Sequence, residues 1–257
     1  MLGSVSRQVE EDDNTRLSIL RGPQLAQVPR RKATTTPSIR IAVEGNIASG
    51  KSTLLRMFAK QYSAKELAEP VKKWQNLGGE NVLDRMYQDP KRWSYLFQSY
   101  VLLTMMEVHN AQVDSRLSVM ERSVYSARHC FVENLHVNNL MDDMEYSCYL
   151  QWFDYLITNN KPQLDLIVYL RTSPEVCMQR LKLRGRQEEE PVTMEYLQSL
   201  HDRHEEWLSG NKWASLNGIP VLVLNGDTDF QKDTTFHQKQ SYKIVQKLSQ
   251  LGIFSSS

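Results

Sequence analysis

The sequence has few cysteines and no long apolar run, and each absence excludes a class of protein. Its three cysteines are Cys130, Cys148 and Cys177, and no two of them share a C-x-x-C spacing. An odd number without that spacing argues against a disulfide framework or a cysteine-ligated metal site and favours a reducing, intracellular compartment. No uninterrupted apolar stretch approaches the length of a transmembrane helix, so we expect no membrane partner.

Charge of one sign is not in excess either. The 257 residues include 31 Lys and Arg against 30 Asp and Glu, which gives a net charge of +1. We therefore expect no general electrostatic attraction to nucleic acid or to a membrane surface. The chain is 40% hydrophobic. At this length a single α/β domain with a sizeable core is the simplest organisation.

The N-terminal stretch differs in composition from the rest of the chain. Residues 1–37 carry few large apolar side chains and end in a linker-like run of three threonines and a proline. We expect a disordered tail or targeting segment over 1–37 and one domain over 38–257. The arginines of the tail suit mitochondrial import, but the acidic run 10–13 does not. The basic cluster 30–32 is too short to indicate nuclear import, so the compartment stays open between mitochondrial and cytoplasmic or nuclear.

One stretch fits the phosphate-binding pattern G-x-x-x-x-G-K-[ST] at every fixed position. It consists of Gly45, Asn46, Ile47, Ala48, Ser49, Gly50, Lys51 and Ser52, and Thr53 follows. Residues 38–44 before it favour a buried strand, and residues 53–60 after it favour a helix. A glycine loop between strand and helix directs backbone N–H groups at a phosphate, and the helix dipole adds positive potential there.

This phosphate loop predicts that a nucleoside triphosphate binds together with magnesium. Lys51 can reach the β- and γ-phosphates, and the Ser52 hydroxyl can bind Mg²⁺. The alternative, an ordinary glycine turn between a strand and a helix, is weaker because the pattern and both flanks agree. The loop does not identify the group that receives the phosphate.

Strands alternate with helices along the remaining chain. Strands are predicted at 65–70, 117–120, 164–170 and 219–224. Helices are predicted at 83–87, 90–110, 124–135, 144–157, 174–183, 194–208 and 238–251. This order predicts an α/β fold with a mostly parallel sheet of about five strands and helices on both faces. Ligands then bind at the carboxyl ends of the strands.

Charged residues follow two of these predicted strands. Glu69 can take a proton from a substrate hydroxyl as phosphoryl transfer proceeds. Glu121 can hold Mg²⁺ through water, and Arg122 can pair with a phosphate or with a developing alkoxide. For each residue alone an exposed surface charge is the more frequent outcome. Their shared position at strand ends favours a functional role.

A basic stretch lies at the end of the helix predicted for 174–183, and it contains Arg180, Arg184 and Arg186. A run of charges is usually a solvated helix face. Here the run lies at a helix-to-loop junction after a core strand, where a mobile lid of arginines can close over the transferring phosphoryl group. We expect this second role, because an open site would hydrolyse the triphosphate.

The long helix 90–110 carries a further pattern. Gln98, Val101 and Met105 share one face, and a single amide among apolar neighbours suits recognition of the edge of a base. Trp74 and Phe131 can bracket an aromatic ring. The alternative is ordinary core packing with Gln98 paired to backbone, and helical stripes of this kind are usually core.

Several of these stretches together resemble the deoxynucleoside kinases, and especially the branch that holds the insect multisubstrate enzyme and mitochondrial thymidine kinase. The stretches are 45–52, 69–74, 98–100, 121–128 and 131–134. The likeness covers residues 39–208 and continues more weakly to the last strand. It implies a P-loop kinase fold with an arginine-rich lid, and ATP-dependent phosphorylation of a deoxynucleoside 5′-hydroxyl for nucleotide salvage.

The resemblance also implies residue roles. Glu69 is the general base, with Arg122 beside it, and Glu121 helps to hold magnesium. Gln98 pairs with the nucleobase and Phe131 stacks on it. The resemblance assigns the remaining site as follows: Trp74 closes the pocket, Tyr87 and Glu189 hold the sugar 3′-hydroxyl, and Arg180, Arg184 and Arg186 form the lid.

Quaternary structure and substrate choice are implied in the same way. Members of the family are homodimers, with an interface built here from the helices 90–110 and 144–157. Relatives selective for deoxycytidine or deoxyguanosine tend to carry arginine and aspartate at the positions of Met105 and Ala127. The flexible Met105 and the small Ala127 leave room for a thymine methyl group. Thymidine and deoxycytidine are the expected substrates, purines are weaker ones, and dTTP is the expected feedback inhibitor.

Three other functions are compatible with a phosphate loop. A non-catalytic relative would have lost Lys51, Glu69 or Arg122, and all three are present. A nucleotide-dependent switch needs a loop that senses the γ-phosphate, and the sequence shows none. A nucleoside monophosphate kinase needs more basic residues around its acceptor. The predicted acceptor site instead has one carboxylate, one arginine and apolar or amide neighbours.

Overall fold

The computed structural model describes residues 38–209, 218–228 and 235–253. The predicted tail at 1–37 lies outside these residues. Within them, five strands form one parallel sheet: β1 Ile39–Glu44, β2 Lys65–Leu67, β3 Leu117–Glu121, β4 Leu166–Arg171 and β5 Val221–Asn225. The strand order is β2-β3-β1-β4-β5, and every neighbouring pair is parallel. The strands β2 and β3 lie on one side of β1, and β4 and β5 lie on the other. The carboxyl end of β1 is therefore the topological switch point, where sheets of this kind bind ligands.

Helices connect the strands. Their bounds are α1 Lys51–Tyr62, α2 Val71–Trp74, α3 Val82–Gln88, α4 Pro90–Asn110, α6 Asp143–Asn160, α7 Pro174–Arg184, α8 Met194–Leu208 and α9 Phe236–Gln250. Between β3 and α6, the helix α5 has three parts, Val124–Ser126, a π-helix at Ala127–Val132, and Glu133–Val137. A single 3₁₀ turn, Gln187–Glu189, follows α7.

The sheet separates two hydrophobic cores, as the alternation of β1 requires. Ile41 and Val43 face a core that α1 and α9 complete. Ala42 faces the opposite core, which receives side chains from α3, α4, α5, α6 and α8. The predicted α/β fold with helices on both faces is therefore confirmed.

Three local predictions differ from the structure. The second strand was expected to reach Pro70 but ends at Leu67, because β2 is an edge strand that pairs with β3 over only three residues. Pro70 instead is the N-cap of the short helix α2, which the sequence analysis did not predict. The helix predicted for 124–135 is present, but it contains a π-helix at Ala127–Val132 and continues to Val137. Such segments are frequent at functional sites.

Candidate active site

The phosphate loop joins the carboxyl end of β1 to the N-terminus of α1. Gly45 has φ +147°, and a Cβ there would lie 2.6 Å from the carbonyl oxygen of Leu170 in β4. Only glycine fits this close approach. The Asn46 amide holds the loop to α8 by donating to the carbonyl oxygen of Leu197 at 2.8 Å. The loop is thus fixed on both sides before any nucleotide binds.

Lys51 begins α1 and folds back over the loop. Its Nζ donates a hydrogen bond to the carbonyl oxygen of Asn46 at 2.6 Å. Burial lowers the pKa of Lys51 to about 8, and the neighbouring Arg122 guanidinium acts in the same direction. A buried ammonium of this kind is poised to exchange its carbonyl partner for phosphate oxygens, since the anion offers the stronger partner.

The two predicted magnesium ligands are in direct contact. The Ser52 hydroxyl donates to Glu121 Oε1 at 2.7 Å, which joins the phosphate loop to the last residue of β3. Within the described residues no group of three or more His, Cys, Asp or Glu side chains is arranged to hold a metal ion. A hydroxyl and one carboxylate fit Mg²⁺ well, because this ion is usually held by one or two side chains together with phosphate oxygens and water.

The buried Arg122 and the partly buried Glu69 form an ion pair beside these ligands. Arg122 Nε lies 3.1 Å from Glu69 Oε1, and Arg122 Nη1 donates to the carbonyl oxygen of Gly45 at 3.2 Å. Burial raises the pKa of Glu69, although the Arg122 guanidinium opposes that shift. A carboxylate with a raised pKa is a better proton acceptor, so this arrangement suits general-base chemistry.

A cavity extends from this ion pair between α3, α4 and α5. Most of the predicted site residues line it: Ile47, Ala48, Lys51, Glu69, Trp74, Tyr87, Gln98, Val101, Met105, Glu121, Arg122, Ala127, Phe131, Arg184, Arg186 and Glu189. The others belong to the phosphate loop and the first turn of α1, or contact the loop, but do not line the cavity: Gly45, Asn46, Ser49, Gly50, Ser52, Thr53 and Arg180. The structure therefore brings residues from six separate stretches of the chain to one edge of the sheet, namely 45–53, 69–74, 87, 98–105, 121–131 and 180–189.

The inner end of the cavity combines aromatic walls with one amide. Trp74 is held by a hydrogen bond from its Nε1 to the Thr104 hydroxyl at 2.9 Å. The Phe131 ring lies 4.8 Å from the Arg122 guanidinium. Gln98 is 2% exposed, and its Oε1 has no hydrogen-bond partner among the described residues. A buried amide oxygen without a partner is costly, so it favours a ligand over the alternative in which Gln98 pairs with backbone.

The predicted lid arginines Arg184 and Arg186 line the cavity together with Glu189. Arg184 ends α7, and both Arg184 and Arg186 pair with Glu189, at 2.5 and 3.0 Å. The buried Glu189 carboxylate and the hydroxyl-bearing ring of Tyr87 line the same part of the cavity. Arg180 does not reach it. Its guanidinium donates to the carbonyl oxygens of Ser49 at 2.8 Å and Thr228 at 2.9 Å, beside the phosphate loop.

Sequence reasoning missed several residues that line the cavity, namely Val71, Leu83, Met86, Phe97, Ser123, Ser126 and Tyr196. Leu83 and Met86 lie on the same short helix as Tyr87, so helical spacing offered a signal for them. Tyr196 follows the N-cap of α8, more than 60 residues from Phe131 in the sequence. No local pattern marks it, because only the tertiary packing of α8 brings its ring to a T-shaped contact with Tyr87, 6.5 Å between centroids.

The fold and this site together define a P-loop kinase, that is, an enzyme that transfers a phosphoryl group from a nucleoside triphosphate. The deoxynucleoside kinase family model matches residues 41–251. The chain belongs to the deoxynucleoside kinase family, and it phosphorylates deoxynucleosides for nucleotide salvage. This membership sets aside the switch and the monophosphate kinase, and the presence of Lys51, Glu69 and Arg122 argues against a non-catalytic relative.

Individual relatives agree with the family match. Mitochondrial thymidine kinase 2 of Macaca fascicularis is 46% identical over 205 residues, which span 80% of this chain and 77% of the relative. The human enzyme of the same name is 45% identical over the same shares. Deoxycytidine kinase 2 of Gallus gallus is 36% identical, over 80% of this chain and 87% of the relative. In the part of the chain described here, no helix is both long and apolar enough to cross a bilayer.

Proposed function

We propose that the enzyme transfers the γ-phosphoryl group of ATP to the 5′-hydroxyl of thymidine and deoxycytidine, and more weakly to purine deoxynucleosides. The observation that carries this proposal is the inner end of the cavity, where the unpaired Gln98 amide faces apolar walls. An amide can form two hydrogen bonds with the edge of a pyrimidine. Met105 and Ala127 add no charge there and leave room for a methyl group. Relatives named for thymidine and for deoxycytidine are consistent with both substrates.

The proposed chemistry follows from the positions of the charged groups. Glu69 takes the proton of the 5′-hydroxyl as the new O–P bond forms. Arg122, already paired with Glu69, then stabilises the charge on the reacting oxygens. Lys51 and the loop N–H groups hold the β- and γ-phosphates. The nucleoside diphosphate leaves with the electron pair of the O–P bond that breaks.

Magnesium is proposed at the contact between Ser52 and Glu121. When bound, the ion would supply positive charge next to the triphosphate. The Ser52 hydroxyl donates to Glu121, so the two side chains already meet at the proposed place of the ion. The residues that would hold the ion are therefore Ser52 directly and Glu121 directly or through water.

The lid arginines have two proposed partners. With Glu189 they form the ion pairs seen in the structure. When substrates bind, Arg184 and Arg186 turn to the transferring phosphoryl group, and Arg180 stays beside the loop at Ser49. Glu189 and Tyr87 are then free to hold the 3′-hydroxyl of the sugar. Phe131 stacks on the base and Trp74 closes the pocket.

A homodimer is proposed through α4 and α6. These helices pack side by side and carry large exposed apolar residues at helical spacings: Leu96, Leu103, Met144, Trp152 and Tyr155. Monomeric proteins rarely expose a continuous apolar patch of this kind. We further propose that residues 38–257 form one catalytic domain, and that dTTP inhibits by placing its nucleoside in the cavity and its phosphates on the loop.

The test is a direct assay of the four natural deoxynucleosides with the purified protein and ATP, with and without Mg²⁺. We expect the largest kcat/KM values for thymidine and deoxycytidine and no turnover when the metal is chelated. A preference for purines would refute the substrate proposal. We expect dTTP to compete with thymidine, and inhibition that competes only with ATP would refute the proposed inhibitor site.

A further inference from the structure

Arg122 has an unusual backbone conformation. Its φ is +59°, in the left-handed region that residues with a Cβ avoid. A residue keeps such a conformation only where its surroundings over-determine it. The side chain of Arg122 leads from this point to Glu69 and to the Gly45 carbonyl. The direction of the guanidinium therefore depends on what holds the backbone at 122–124.

Three successive backbone N–H groups in this loop have three different acceptors. Arg122 N–H donates to the carbonyl oxygen of Val43 at 3.0 Å, which continues the pairing of β3 with β1. Ser123 N–H donates to Glu44 Oε1 at 2.7 Å. Val124 N–H, at the first position of α5, donates to His109 Nε2 at 3.1 Å. Two of the three acceptors are thus side chains, and both are buried.

Glu44 connects the loop to the phosphate-binding stretch. It is the last residue of β1, directly before Gly45, and it is fully buried. The same Oε1 also accepts from the Ser123 hydroxyl at 2.5 Å. A carboxylate that accepts two hydrogen bonds gives a strong and directional attachment. The reaction proposed above assigns no chemical step to Glu44, so its burial needs another explanation.

His109 connects the same loop to α4, the helix that carries Gln98 and Met105. Its Nε2 accepts a hydrogen bond, so the ring is neutral, in agreement with a pKa that burial and the Arg40 guanidinium lower to about 3. Arg40 donates to the backbone carbonyl oxygens of His109 and Ala111 and so holds the end of α4. The backbone of His109 is thus held by Arg40, and its Nε2 serves as the acceptor for the Val124 N–H.

We propose that Glu44 and His109 are positioning residues, which hold the backbone at 122–124 so that the Arg122 guanidinium reaches Glu69 and the phosphate loop. Neither touches the reacting atoms. They make the geometry of Arg122 depend on both β1 and α4, that is, on the strand before the nucleotide loop and on the helix that lines the base pocket. The inference rests on the proposed role of Arg122.

The experiment compares Glu44→Met, which removes the acceptor, with Glu44→Gln, which keeps one. We expect kcat for thymidine to fall about 10- to 100-fold in Glu44→Met, the effect of losing the two hydrogen bonds that this buried side chain accepts. KM for ATP and thymidine should change little, because the binding walls stay in place. Glu44→Gln should recover most of the lost kcat. His109→Leu gives a second, independent variant with the same expected loss.

A double-mutant cycle with Arg122→Ala separates positioning from general destabilisation. In the Arg122→Ala background, Glu44→Met and His109→Leu should each lower kcat by less than about a further twofold, because the side chain that Glu44 and His109 position is absent. The matched control is Glu205→Gln, which weakens the contact of Glu205 with Arg171 Nε, at 2.8 Å, a contact that involves neither Glu44 nor His109. It should lower thermal stability and leave kcat unchanged.

The outcomes distinguish the inference from the proposal on which it depends. If Arg122→Ala keeps its kcat, the proposed role of Arg122 is wrong. If Arg122→Ala loses activity while folded Glu44→Met and His109→Leu keep theirs, only the positioning inference is overturned. It is also overturned if Glu44→Met and His109→Leu lower kcat by the same factor in the wild-type background and in the Arg122→Ala background. Should Glu44→Met fail to fold, the His109→Leu cycle decides the question alone.

Discussion

At the scale of single residues, the site depends on pairs whose charges modify one another. Arg122 holds Glu69 in place, yet burial of the pair raises the pKa of that carboxyl. The same guanidinium, together with burial, lowers the pKa of Lys51. Burial makes each charge expensive unless it has a partner, so removal of one member is expected to affect the others.

The first prediction concerns the proposed base. Glu69→Gln keeps the shape of the side chain but cannot accept a proton, so kcat should fall by about 10²–10⁴-fold. Because the pKa of Glu69 is raised above the usual 4.5, wild-type kcat/KM should decline with falling pH already above that value. Glu66→Gln, on the exposed side of β2, is the matched control and should retain activity. A change confined to KM would make Glu69 a binding residue only.

The second prediction concerns the base pocket. Met105→Arg together with Ala127→Asp should shift activity from thymidine toward purine deoxynucleosides. The new charges can pair with each other, occupy the space of the 5-methyl group and present hydrogen-bonding groups to a larger base. The measurement is kcat/KM for all four deoxynucleosides on the wild type and the double variant.

Single variants control this experiment. Ala127→Asp alone should reduce all activities, since an unpaired carboxylate in a closed pocket is costly. The substrate argument fails if the folded double variant shows no decrease in the ratio of thymidine to purine activity.

Some residues of the site could be predicted from the sequence and others could not. The phosphate loop was accessible from the sequence, because phosphate binding fixes glycine, lysine and serine at set spacings within a few residues. Glu69 and Arg122 were accessible because they follow strands. Glu44 was not, since a glutamate at the end of a strand reads as one more polar residue until the fold buries it against Ser123. The left-handed backbone of Arg122 has no sequence signal either.

At the scale of elements, helices with clear ends were predicted well. Pro90 and the Asp89 side chain that caps it define the start of α4, and the predicted range 90–110 agrees with the structure. The π-helix in α5 was not predictable, because its residues favour an ordinary helix locally. Tertiary packing widens it where Ala127 and Phe131 face the cavity. The four-residue helix α2 is too short for any periodicity.

One pair of elements is held together by an ionic contact. Arg171 ends β4, and its Nε donates to Glu205 Oε1 of α8 at 2.8 Å, while the Tyr169 hydroxyl donates to the same oxygen at 2.7 Å. Burial by itself would raise the pKa of Glu205, but the hydrogen bonds from Arg171 and Tyr169 hold it below the usual 4.5. The contact therefore stabilises the fold when the carboxyl is ionised.

The third prediction is the pH dependence of this contact. At neutral pH, Glu205→Gln should lower the free energy of unfolding by about 1 kcal/mol, a modest value because the pair is partly exposed to solvent. This corresponds to a decrease in Tm of about 2–4 °C. A depressed folded-state pKa gives stability that is present above the unfolded-state pKa and is lost as the pH falls through the folded-state pKa. The difference from wild type should therefore shrink below about pH 4.

Glu206→Gln is the matched control, since Glu206 pairs with Arg203 of its own helix at 3.0 Å and is half exposed. Its Tm should differ little from that of the wild type at any pH. A Glu205→Gln variant whose Tm deficit stayed constant down to pH 3 would contradict the assigned ion pair.

At the scale of the whole molecule, the two faces of the sheet differ in what remains exposed. On the face of α1 and α9, the exposed residues Met57 and Tyr242 lie on different helices. On the other face, the exposed apolar residues Leu96 and Leu103 are seven positions apart on α4, and Trp152 lies on the adjacent α6. A joint apolar surface of two packed helices is the kind of patch that another subunit covers.

The fourth prediction tests that surface. Leu103→Glu combined with Trp152→Glu places charges at two side chains that are 49% and 54% exposed in the single chain. Both can be solvated in a monomer, so the fold should persist, but burial of four unpaired carboxylates across a symmetric interface would be prohibitive. Light scattering after size exclusion should show two chains per particle for the wild type and one for the variant. Tyr242→Glu, on the opposite face, should leave two. A wild-type enzyme that is monomeric at micromolar concentration, or a folded double variant that remains dimeric, would refute the interface on α4 and α6.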